Sequence, residues 1–366
     1  MDLIVNLYTE IYLFVAIVAV IHIRTGLIYS KVFYYIYFSI VVIFVGLRVN
    51  VGSDWNSYIE ILNIARNSPI STVLYTREIG YSVANWIGAN QFGGIYFPNL
   101  VCALLAVIPL AIFCDSRPNP WLSLVVATPY LIIVVYMGYT RQSAAIGFCL
   151  LAILSLERER FWSAIGLVML GGLFHLTAAG FFLPIIALSS LPINRKNALR
   201  AGLMTTVSVV YFVAISRDRL SYLFGAYFST PDVDGLQSVD ALQSAGAVPR
   251  LGLGVFAGLI FIWLTRKQPL LSPRNGIWVL SVVGSFALLP SALLTSTFAD
   301  RMGLYLIPLQ LHVVSLADAE LKSFVAQQAF RIAVIVLYGA MLTVWFTRSR
   351  FAEYWLPYDN LLFHLF

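Results

Sequence analysis

The sequence predicts an all-α fold: a polytopic integral membrane helical bundle of about 11–12 transmembrane or re-entrant helices in one transmembrane domain over residues 1–366. Composition is the first reason, because 60% of the residues are apolar and only 11% are charged, whereas soluble domains carry about 25% charged residues. The second reason is that apolar runs of membrane-spanning length recur along the whole chain. A membrane barrel would instead alternate apolar and polar residues along each strand.

The apolar runs place the predicted spans in chain order. They lie near 3–23, 32–47, 95–114, 121–137, 141–156, 161–174, 176–190, 198–215, 248–264, 276–294, 301–318 and 329–346. Cys102, Cys114 and Cys149 lie within or at the ends of such runs, and the absence of Cys-x-x-Cys spacing is typical of packing residues. Met1-Asp2 opens the chain without a basic region or a cleavage pattern, so we expect no removable signal peptide.

The positive-inside rule orients these spans, because Lys and Arg collect in short cytoplasmic connections. Basic residues mark such connections near 24–31, 117, 158–160, 195–200 and 266–274. Their alternation along the chain works only if both termini lie outside.

Residues 161–190 are a special case, because basic residues flank this stretch on both sides. Two short helices that meet near Gly171, Gly172 and His175 keep both ends in the cytoplasm, and we adopt this hairpin. It places His175 at an apex on or below the outer surface. One long tilted helix that breaks the rule once is the alternative.

Two of the predicted outer loops are long. The outer loop 48–94 has apolar residues at helical spacing around 59–65 and 79–87, separated by Ser68-Pro69, which is typical of interfacial amphipathic helices. The periplasmic loop 216–247 begins with charges, continues through an aromatic cluster and ends in an acidic segment. A lid over an outer cavity is one role for such a loop.

In this topology arginine is unusually common outside, where lysine is absent. The outer arginines are at positions 48, 66, 77, 141, 217, 219, 250, 301, 348 and 350. A guanidinium binds phosphate oxygens at two points, so this excess favours an anionic, phosphorylated ligand. Interfacial snorkelling and pairing with outer carboxylates is the alternative, which we prefer for Arg66, Arg77, Arg348 and Arg350.

No basic arm or basic-aromatic run is present, so we expect no nucleic acid partner.

Ionisable residues stand at five places where apolar neighbours make charge costly, by about 2.5–3.5 kcal/mol at mid-membrane. The five places are Arg48 with Asp54, Glu78, Arg141 beside Gln142, His175, and Arg301 after Asp300. All five lie at outer helix ends in the predicted topology, so they are candidates for one functional site.

Short motifs around these residues follow one another in a recognisable order. They are Gly46-Leu-Arg48 with Gly52-Ser-Asp54 and Tyr58, then Glu78-Ile-Gly-Tyr81, Tyr139-Thr-Arg141-Gln142-Ser-Ala-Ala and Phe174-His175-Leu-Thr-Ala. The ordered set resembles the EpsG-like family of bacterial Wzy-type polysaccharide polymerases. Arg301 with Tyr305, and Tyr354 with Pro357-Tyr358, extend the resemblance over most of the chain. Leu47 and Thr177 depart from it, where an aromatic residue and Ser are commoner.

The resemblance implies a GT-C-like glycosyltransferase of the bacterial inner membrane whose active site faces the periplasm. It would transfer a growing glycan from undecaprenyl diphosphate onto the non-reducing-end hydroxyl of a lipid-linked repeat unit of an O-antigen, capsule or exopolysaccharide. The expected partners are the undecaprenyl-diphosphate-linked oligosaccharide, membrane lipid and a chain-length regulator protein. We expect no cofactor, because no His, Asp and Glu set has metal-ligand spacing and no Gly-rich nucleotide loop follows a strand.

The residue types suit this reaction. The leaving lipid diphosphate is an anion that needs charge stabilisation, which arginine forks supply. The attacking hydroxyl needs a base, and a positioned His or carboxylate contributes about 10²–10⁴-fold. Direct displacement at the anomeric carbon inverts its configuration without a covalent intermediate, whereas a glycosidase requires two carboxylates that flank the bond.

For the donor diphosphate we predict Arg141 and Arg301 as the clamp, with Arg48 and Arg250 as weaker candidates. Interfacial pairing is the structural alternative for these arginines.

For the general base we predict His175 first, with Asp54 and Glu78 as rivals. Each rival carboxylate alternatively orients an Arg or binds sugar hydroxyls, and Asp54 also has the position to pair with Arg48 or to cap a helix that starts near Trp55. The structural alternative for His175 is a hydrogen-bonded, helix-breaking histidine.

Four further polar or aromatic residues are predicted substrate contacts, with packing as the alternative. They are Gln142, Tyr58, Tyr81 and Tyr305. The remaining histidines, His22, His312 and His364, are expected to be structural.

Rival functions share part of this pattern. An O-antigen ligase or a transferase that uses a polyprenyl-phosphate sugar also needs outer arginines and a base. A flippase or transporter expects repeated halves and charges along a path through the membrane, and this sequence has neither.

Overall fold

The computed structural model describes residues 7–21, 27–75, 78–189, 202, 206, 246–266, 275–293 and 296–365, without the side chains of 27–30. Three predictions fall outside these residues, apart from isolated positions. They are the span 198–215, the lid loop 216–247 and the structural role of His22.

Helices account for most of the described chain, which confirms the all-α prediction. The α-helices are α1 (Leu7–Ile21), α2 (Leu27–Gly46), α3 (Trp55–Arg66), α4 (Ile70–Val73), α5 (Ile79–Asn90), α6 (Tyr96–Asp115), α7 (Pro120–Ala127), α8 (Thr140–Glu157), α9 (Phe161–Gly172), α10 (Leu176–Ser189), α11 (Ala247–Thr265), α12 (Gly276–Ser291), α13 (Ser296–Gly303), α14 (Ile307–Glu320) and α15 (Phe324–Arg348). A π-helix (Thr128–Tyr136) continues α7, and 3₁₀ turns cover Leu304–Leu306, Ala352–Trp355 and Leu361–His364.

Within the described residues, four helical stretches are long and apolar enough to cross a membrane. They are Tyr96–Asp115, Ala247–Thr265, Ser296–Glu320 and Phe324–Arg348. Shorter apolar helices, such as α1 and α10, accompany them. Since all these stretches belong to one chain, the protein is a polytopic membrane protein.

Several helix boundaries differ from the predicted spans for local reasons. Helix α15 begins at Phe324 rather than near 329, because the Ser323 hydroxyl caps it by accepting from the Ala326 amide at 3.5 Å. The predicted start at Arg301 is wrong by five residues, since α13 begins at the polar Ser296. The predicted span 121–137 changes from α- to π-helix at Thr128, next to Pro129, which has no amide hydrogen to donate.

The stretch 161–190 contains two helices, which confirms the predicted break and excludes one continuous helix. Helix α9 ends at Gly172, where the Gly171 carbonyl accepts hydrogen bonds from the amides of Phe174 and His175, both at 3.0 Å. Helix α10 begins directly afterwards, at Leu176. The membrane orientation of this pair stays a prediction.

The chain divides into two compact units. Unit 1 consists of residues 1–151, 170–175 and 314–366, and unit 2 of residues 152–169 and 176–313. In unit 1, α2 packs against α6, α3 against α5, and α1 against α7. In unit 2, α11 packs against α12 and α13, and α10 packs against α12.

A polar network fastens unit 1 where α7 begins. The Asn119 side chain caps α7 by accepting from the Leu122 amide at 3.1 Å, and its amide nitrogen donates to Asp318 at 2.8 Å. Arg331 donates to both oxygens of the same Asp318 carboxylate, at 2.8 and 2.9 Å. The carboxylate therefore joins the start of α7 to helices α14 and α15.

Candidate active site

Three of the predicted site residues meet in unit 1, with Glu78 between the other two. Arg141 donates from Nη1 to Glu78 Oε2 at 2.5 Å. His175 Nδ1 lies 2.9 Å from the other carboxylate oxygen, Oε1. The three side chains are only partly exposed, at 27% for Arg141, 12% for Glu78 and 21% for His175. We call this group the Glu78 cluster.

Arg141 stands in the first turn of α8, at a break in the helical backbone. The π-helix and its last turn end near Tyr139, and α8 starts at Thr140. The Tyr139 carbonyl accepts from the Ser143 amide at 2.8 Å, so the new helix begins with its hydrogen bonds satisfied. Helix irregularities of this kind recur at functional sites because they redirect side chains.

The turn that carries His175 packs against α8 just beyond Arg141. A Cβ on Gly171 would lie 3.2 Å from the Ala145 carbonyl oxygen and from Phe148 Cβ. The rings of Phe148 and Phe174 stack with centroids 6.0 Å apart. The small residue at 171 thus brings the turn close to the helix that holds Arg141.

A second glycine brings Glu78 to the same turn. The Gly80 amide donates to the Leu173 carbonyl at 2.9 Å, and a Cβ on Gly80 would lie 2.9 Å from the Phe174 ring. Because Glu78 directly precedes α5, this close approach sets its carboxylate beside His175. The Glu78-Ile-Gly motif in the sequence therefore has a packing reason.

The surroundings of Glu78 keep its carboxyl group ionised. Burial acts to raise its pKa, but the hydrogen bond and charge of His175, together with those of Arg141, outweigh burial and lower the pKa to about 2. An ionised carboxylate can only accept hydrogen bonds. His175 Nδ1 is therefore the protonated nitrogen of the contact, and in a neutral ring Nε2 is then the nitrogen that accepts a proton.

The Arg141 guanidinium is only partly used by the protein. Among the described residues, Nη1 is the guanidinium atom with a hydrogen-bond partner, and Nε is buried without one. The guanidinium carbon lies 5.9 Å from the centre of the Tyr81 ring. Arg141 thus has N–H groups that Glu78 does not use, and its bond to Glu78 fixes the direction of the guanidinium.

Arg48, in contrast, is fully buried and fully engaged. Its Nη1 donates to the Val45 carbonyl at 2.6 Å, its Nε to the Val51 carbonyl at 3.2 Å and its Nη2 to Thr140 Oγ1 at 2.7 Å. Arg48 therefore ties the loop after α2 to the residue that precedes Arg141. The predicted pairing with Asp54 is absent from these contacts.

The other predicted residues of unit 1 lie near this framework. Tyr58 and Tyr81 are buried and pack edge to face with centroids 5.9 Å apart, and Gln142 is buried beside Arg141 in sequence. Asp54 stands at the N-cap position of α3, as predicted, but its side chain makes no capping hydrogen bond and accepts from the Ser53 hydroxyl at 3.3 Å.

The remaining predicted residues lie in unit 2. Arg250 donates from Nε and Nη2 to the two oxygens of Asp300, at 2.8 and 2.7 Å. Tyr305 is buried and its hydroxyl lies 2.8 Å from Thr177 Oγ1. Arg301 is partly buried in α13.

Sequence reasoning missed several residues that build these sites. Thr140 is a partner of Arg48, Gly80 sets Glu78 against the turn, and Asp300 accepts from two nitrogens of Arg250. Thr140 and Gly80 stood inside the quoted motifs, and Asp300 directly precedes Arg301, so proximity to a motif was the available signal. Among the described residues, no group of three or more His, Cys, Asp or Glu could hold a metal ion.

The fold and the Glu78 cluster define an integral membrane protein with a polar, partly buried charge network in its helical bundle. A family model described as the EpsG family matches residues 31–360. The chain therefore belongs to the EpsG family, whose members are Wzy-like polymerases. Searches of curated proteins and of solved structures found no matching relative. Family membership indicates a polysaccharide-polymerase-like function.

Proposed function

We propose that this protein is a polysaccharide polymerase of the bacterial inner membrane that acts at the periplasmic face. It transfers a growing glycan from undecaprenyl diphosphate onto a hydroxyl of a lipid-linked repeat unit. The observation that carries the proposal is the Glu78 cluster, in which one carboxylate contacts both a partly used guanidinium and a histidine. The EpsG family supports the reaction class.

In this proposal Arg141 stabilises the leaving group. The bond between the anomeric carbon and the diphosphate oxygen breaks, and negative charge grows on that oxygen. The Arg141 donors that Glu78 leaves unused meet this charge in a partly buried site, where charge stabilisation is stronger than in water. Because Glu78 holds Nη1, the fork is already oriented before the donor arrives.

His175 acts as the general base, and Glu78 as its positioning residue. The acceptor hydroxyl oxygen bonds to the anomeric carbon as its proton passes to His175 Nε2. Glu78 accepts from Nδ1 and stabilises the positive charge that forms on the ring. Glu78 itself is a poor base, since both its oxygens are engaged and its pKa is about 2. Inversion at the anomeric carbon follows from the single displacement.

Complementation of a polymerase-deficient strain tests this function, with glycan ladder length as the readout. We expect Arg141→Ala and His175→Ala to leave glycans of one repeat unit, while Arg66→Ala, which removes an exposed arginine, restores full ladders. Arg141→Lys should also shorten the ladders, because an ammonium group cannot replace the planar fork.

The accumulated intermediates in the deficient strain separate the rival functions. Lipid-linked single repeat units on the periplasmic side support a polymerase. Long polymer that stays on its lipid would instead indicate a ligase, and repeat units retained on the cytoplasmic side would indicate a flippase. Full ladders from both Arg141→Ala and His175→Ala at normal protein levels would overturn the roles assigned to the Glu78 cluster.

A further inference from the structure

A cavity of about 230 Å³ opens in unit 1 between the loop after α2 and the chain's last segment. Its wall includes two aromatic rings, two amides and two carboxylates that the Glu78 cluster does not use. These are Trp55, Tyr354, Asn50, Asn56, Glu353 and Asp359. Tyr354 is 47% exposed and Trp55 is half-buried, so the rings are accessible from solvent.

Backbone hydrogen bonds fix the two walls of this cavity to each other. The Val49 amide donates to the Asp359 carbonyl at 3.0 Å, and the Gly52 amide to the Tyr354 carbonyl at 2.9 Å. Gly52 has φ +106°, and a Cβ there would lie 2.7 Å from the Met137 carbonyl oxygen, so a side chain is excluded. The cavity is therefore preformed, which lowers the entropy cost of binding.

The chemistry of the wall suits a sugar ring. Aromatic rings offer flat apolar faces to the C–H face of a pyranose, and amides and carboxylates bond its hydroxyls. The volume is below the roughly 300–1,000 Å³ of sites for drug-sized ligands, which limits the cavity to about one ring.

The charge of the wall indicates which sugars fit. Glu353 and Asp359 are acidic, and the lining residues include no Lys or Arg. His364 lies 2.9 Å from Asp359 and holds that carboxylate in place, whereas Glu353 is exposed. Neutral sugars and amino sugars are therefore favoured over uronic acids, which like charge repels.

The cavity is joined to the Glu78 cluster through packed side chains of unit 1. The Arg48 guanidinium carbon lies 6.0 Å from the centre of the Trp55 ring, and Arg48 also bonds Thr140, next to Arg141. Trp55 packs against the buried cluster that contains Tyr58 and Tyr81. A ligand on Trp55 thus sits on the same framework that positions Arg141.

We infer that this cavity is a saccharide subsite that takes a neutral or amino sugar residue of the glycan substrate. The inference rests on the proposed function, because the glycan is called a substrate only if the protein is a polymerase. Sugar binding itself can be tested without turnover.

Binding to an array of bacterial glycans tests the subsite, with the full chain in nanodiscs as the probe protein. The array carries neutral, acetamido-sugar and uronic acid oligosaccharides. We expect retention of neutral or acetamido glycans, and a loss of about tenfold in affinity for Trp55→Ala, as is usual for a central aromatic contact. Trp162→Ala removes an exposed tryptophan elsewhere and should bind as wild type does.

Reversing the charge of Glu353 gives a second test, whose readout is new binding of uronic acid glycans. A misfolded variant would not gain such binding. Glu353→Lys should admit uronic acid glycans, while Glu60→Lys, which reverses an exposed charge on α3, should not. Absence of any neutral or acetamido ligand, unchanged binding by Trp55→Ala, or equal retention of uronic acid glycans by wild type would overturn the subsite.

The two proposals fail separately. His175→Ala should abolish ladder formation and keep array binding. If Trp55-dependent binding persists while ladders are independent of Arg141 and His175, the subsite stands and the polymerase mechanism falls. If ladders require Arg141 and His175 while no glycan is retained on the array, the subsite alone falls.

Discussion

The Glu78 cluster and the Arg250–Asp300 pair place the same two chemical groups together in two different ways. In the pair, Arg250 gives Nε and Nη2 to both oxygens of Asp300, so fork and carboxylate match. In the cluster, Glu78 divides its oxygens between Arg141 and His175, and Arg141 spends one nitrogen on it. The pair matches two guanidinium nitrogens to two carboxylate oxygens, whereas in the cluster Glu78 accepts from one nitrogen of Arg141.

The difference teaches how a structural arginine is told from one proposed to bind a ligand. A two-point Arg–carboxylate contact satisfies the geometry of both partners and holds helices together. A carboxylate shared between an arginine and a histidine leaves the fork incomplete and directs the imidazole. Arg48 belongs with the structural group, since three of its nitrogens are bonded within the fold.

The largest expected difference in turnover per folded molecule is between variants that remove the guanidinium groups of Arg141 and Arg250. Arg141→Ala should lower turnover per folded molecule by about 10²–10³-fold, the usual effect of losing one donor that stabilises transition-state charge. Arg250→Ala should lower folded protein and the thermal midpoint, because Asp300 loses its partner. Breaking a fully buried pair costs about 3–5 kcal/mol, and this partly buried pair should cost less. Turnover in membranes, divided by folded protein from size-exclusion fluorescence, measures both. Equal losses of turnover per folded molecule in Arg141→Ala and Arg250→Ala would contradict the different roles given to the two arginines.

Neutralising Glu78 should lower turnover, whereas neutralising Asp300 should lower stability, and we expect both effects to be smaller than those of removing the arginines. Glu78→Gln should lower turnover by about 10²-fold, near the lower end of what a positioned base contributes, because the amide cannot stabilise a charged imidazole. Asp300→Asn keeps a carbonyl for Arg250 and should act on the thermal midpoint. A pH–rate profile separates the roles, since a merely structural Glu78 would leave the profile's shape unchanged in Glu78→Gln.

Packing around the cluster can be altered without touching a charge. In Gly80→Ala the new Cβ meets the Phe174 ring and the Leu173 carbonyl, which moves Glu78 from the turn that carries His175. We expect a loss of about 1–3 kcal/mol in stability, as overpacking usually costs, with turnover falling more than folded protein. Gly166→Ala, where a Cβ has open space, is the matched control. Wild-type turnover from Gly80→Ala would show that the contact is not needed.

The smallest expected effect is a pH dependence of stability confined to acid. The folded pKa of Glu78, about 2, lies below its ordinary value of 4.5. Its contribution to stability is therefore fully present above about pH 4.5 and is lost as pH falls through about 2. The difference between the thermal midpoints of wild type and Glu78→Gln should shrink as pH falls from about 4.5 through about 2. Convergence already near neutral pH would contradict the low pKa.

Much of the fold could be predicted from local pattern. The break near Gly171 and His175 followed from basic residues on both sides of 161–190, and the structure has it at Leu173–His175. The helix starting near Trp55 was also predicted, although its expected Asp54 cap is not formed. These features depend on residues that are close together in the chain, and they can therefore be predicted from the sequence.

The candidate site could be predicted only as a set of residues. Glu78, Arg141 and His175 were named from their motifs, but so was Arg48, and Arg250 was named as one of the outer arginines. Nothing in these patterns separates the two groups. The separation depends on Thr140 for Arg48 and on Asp300 for Arg250, 92 and 50 residues away.

By itself, the sequence determined an all-α membrane protein and most helix positions, and it supplied the candidate residues for the site. Composition and periodicity are read within one helix at a time. They therefore predict the hydrophobicity and length of that helix without information about the helices that pack against it. Only the tertiary structure decided which arginine a carboxylate holds at two points and which at one. That choice depends on which helices approach closely, and small residues such as Gly80 and Gly171 permit the approach at distances that no local pattern encodes.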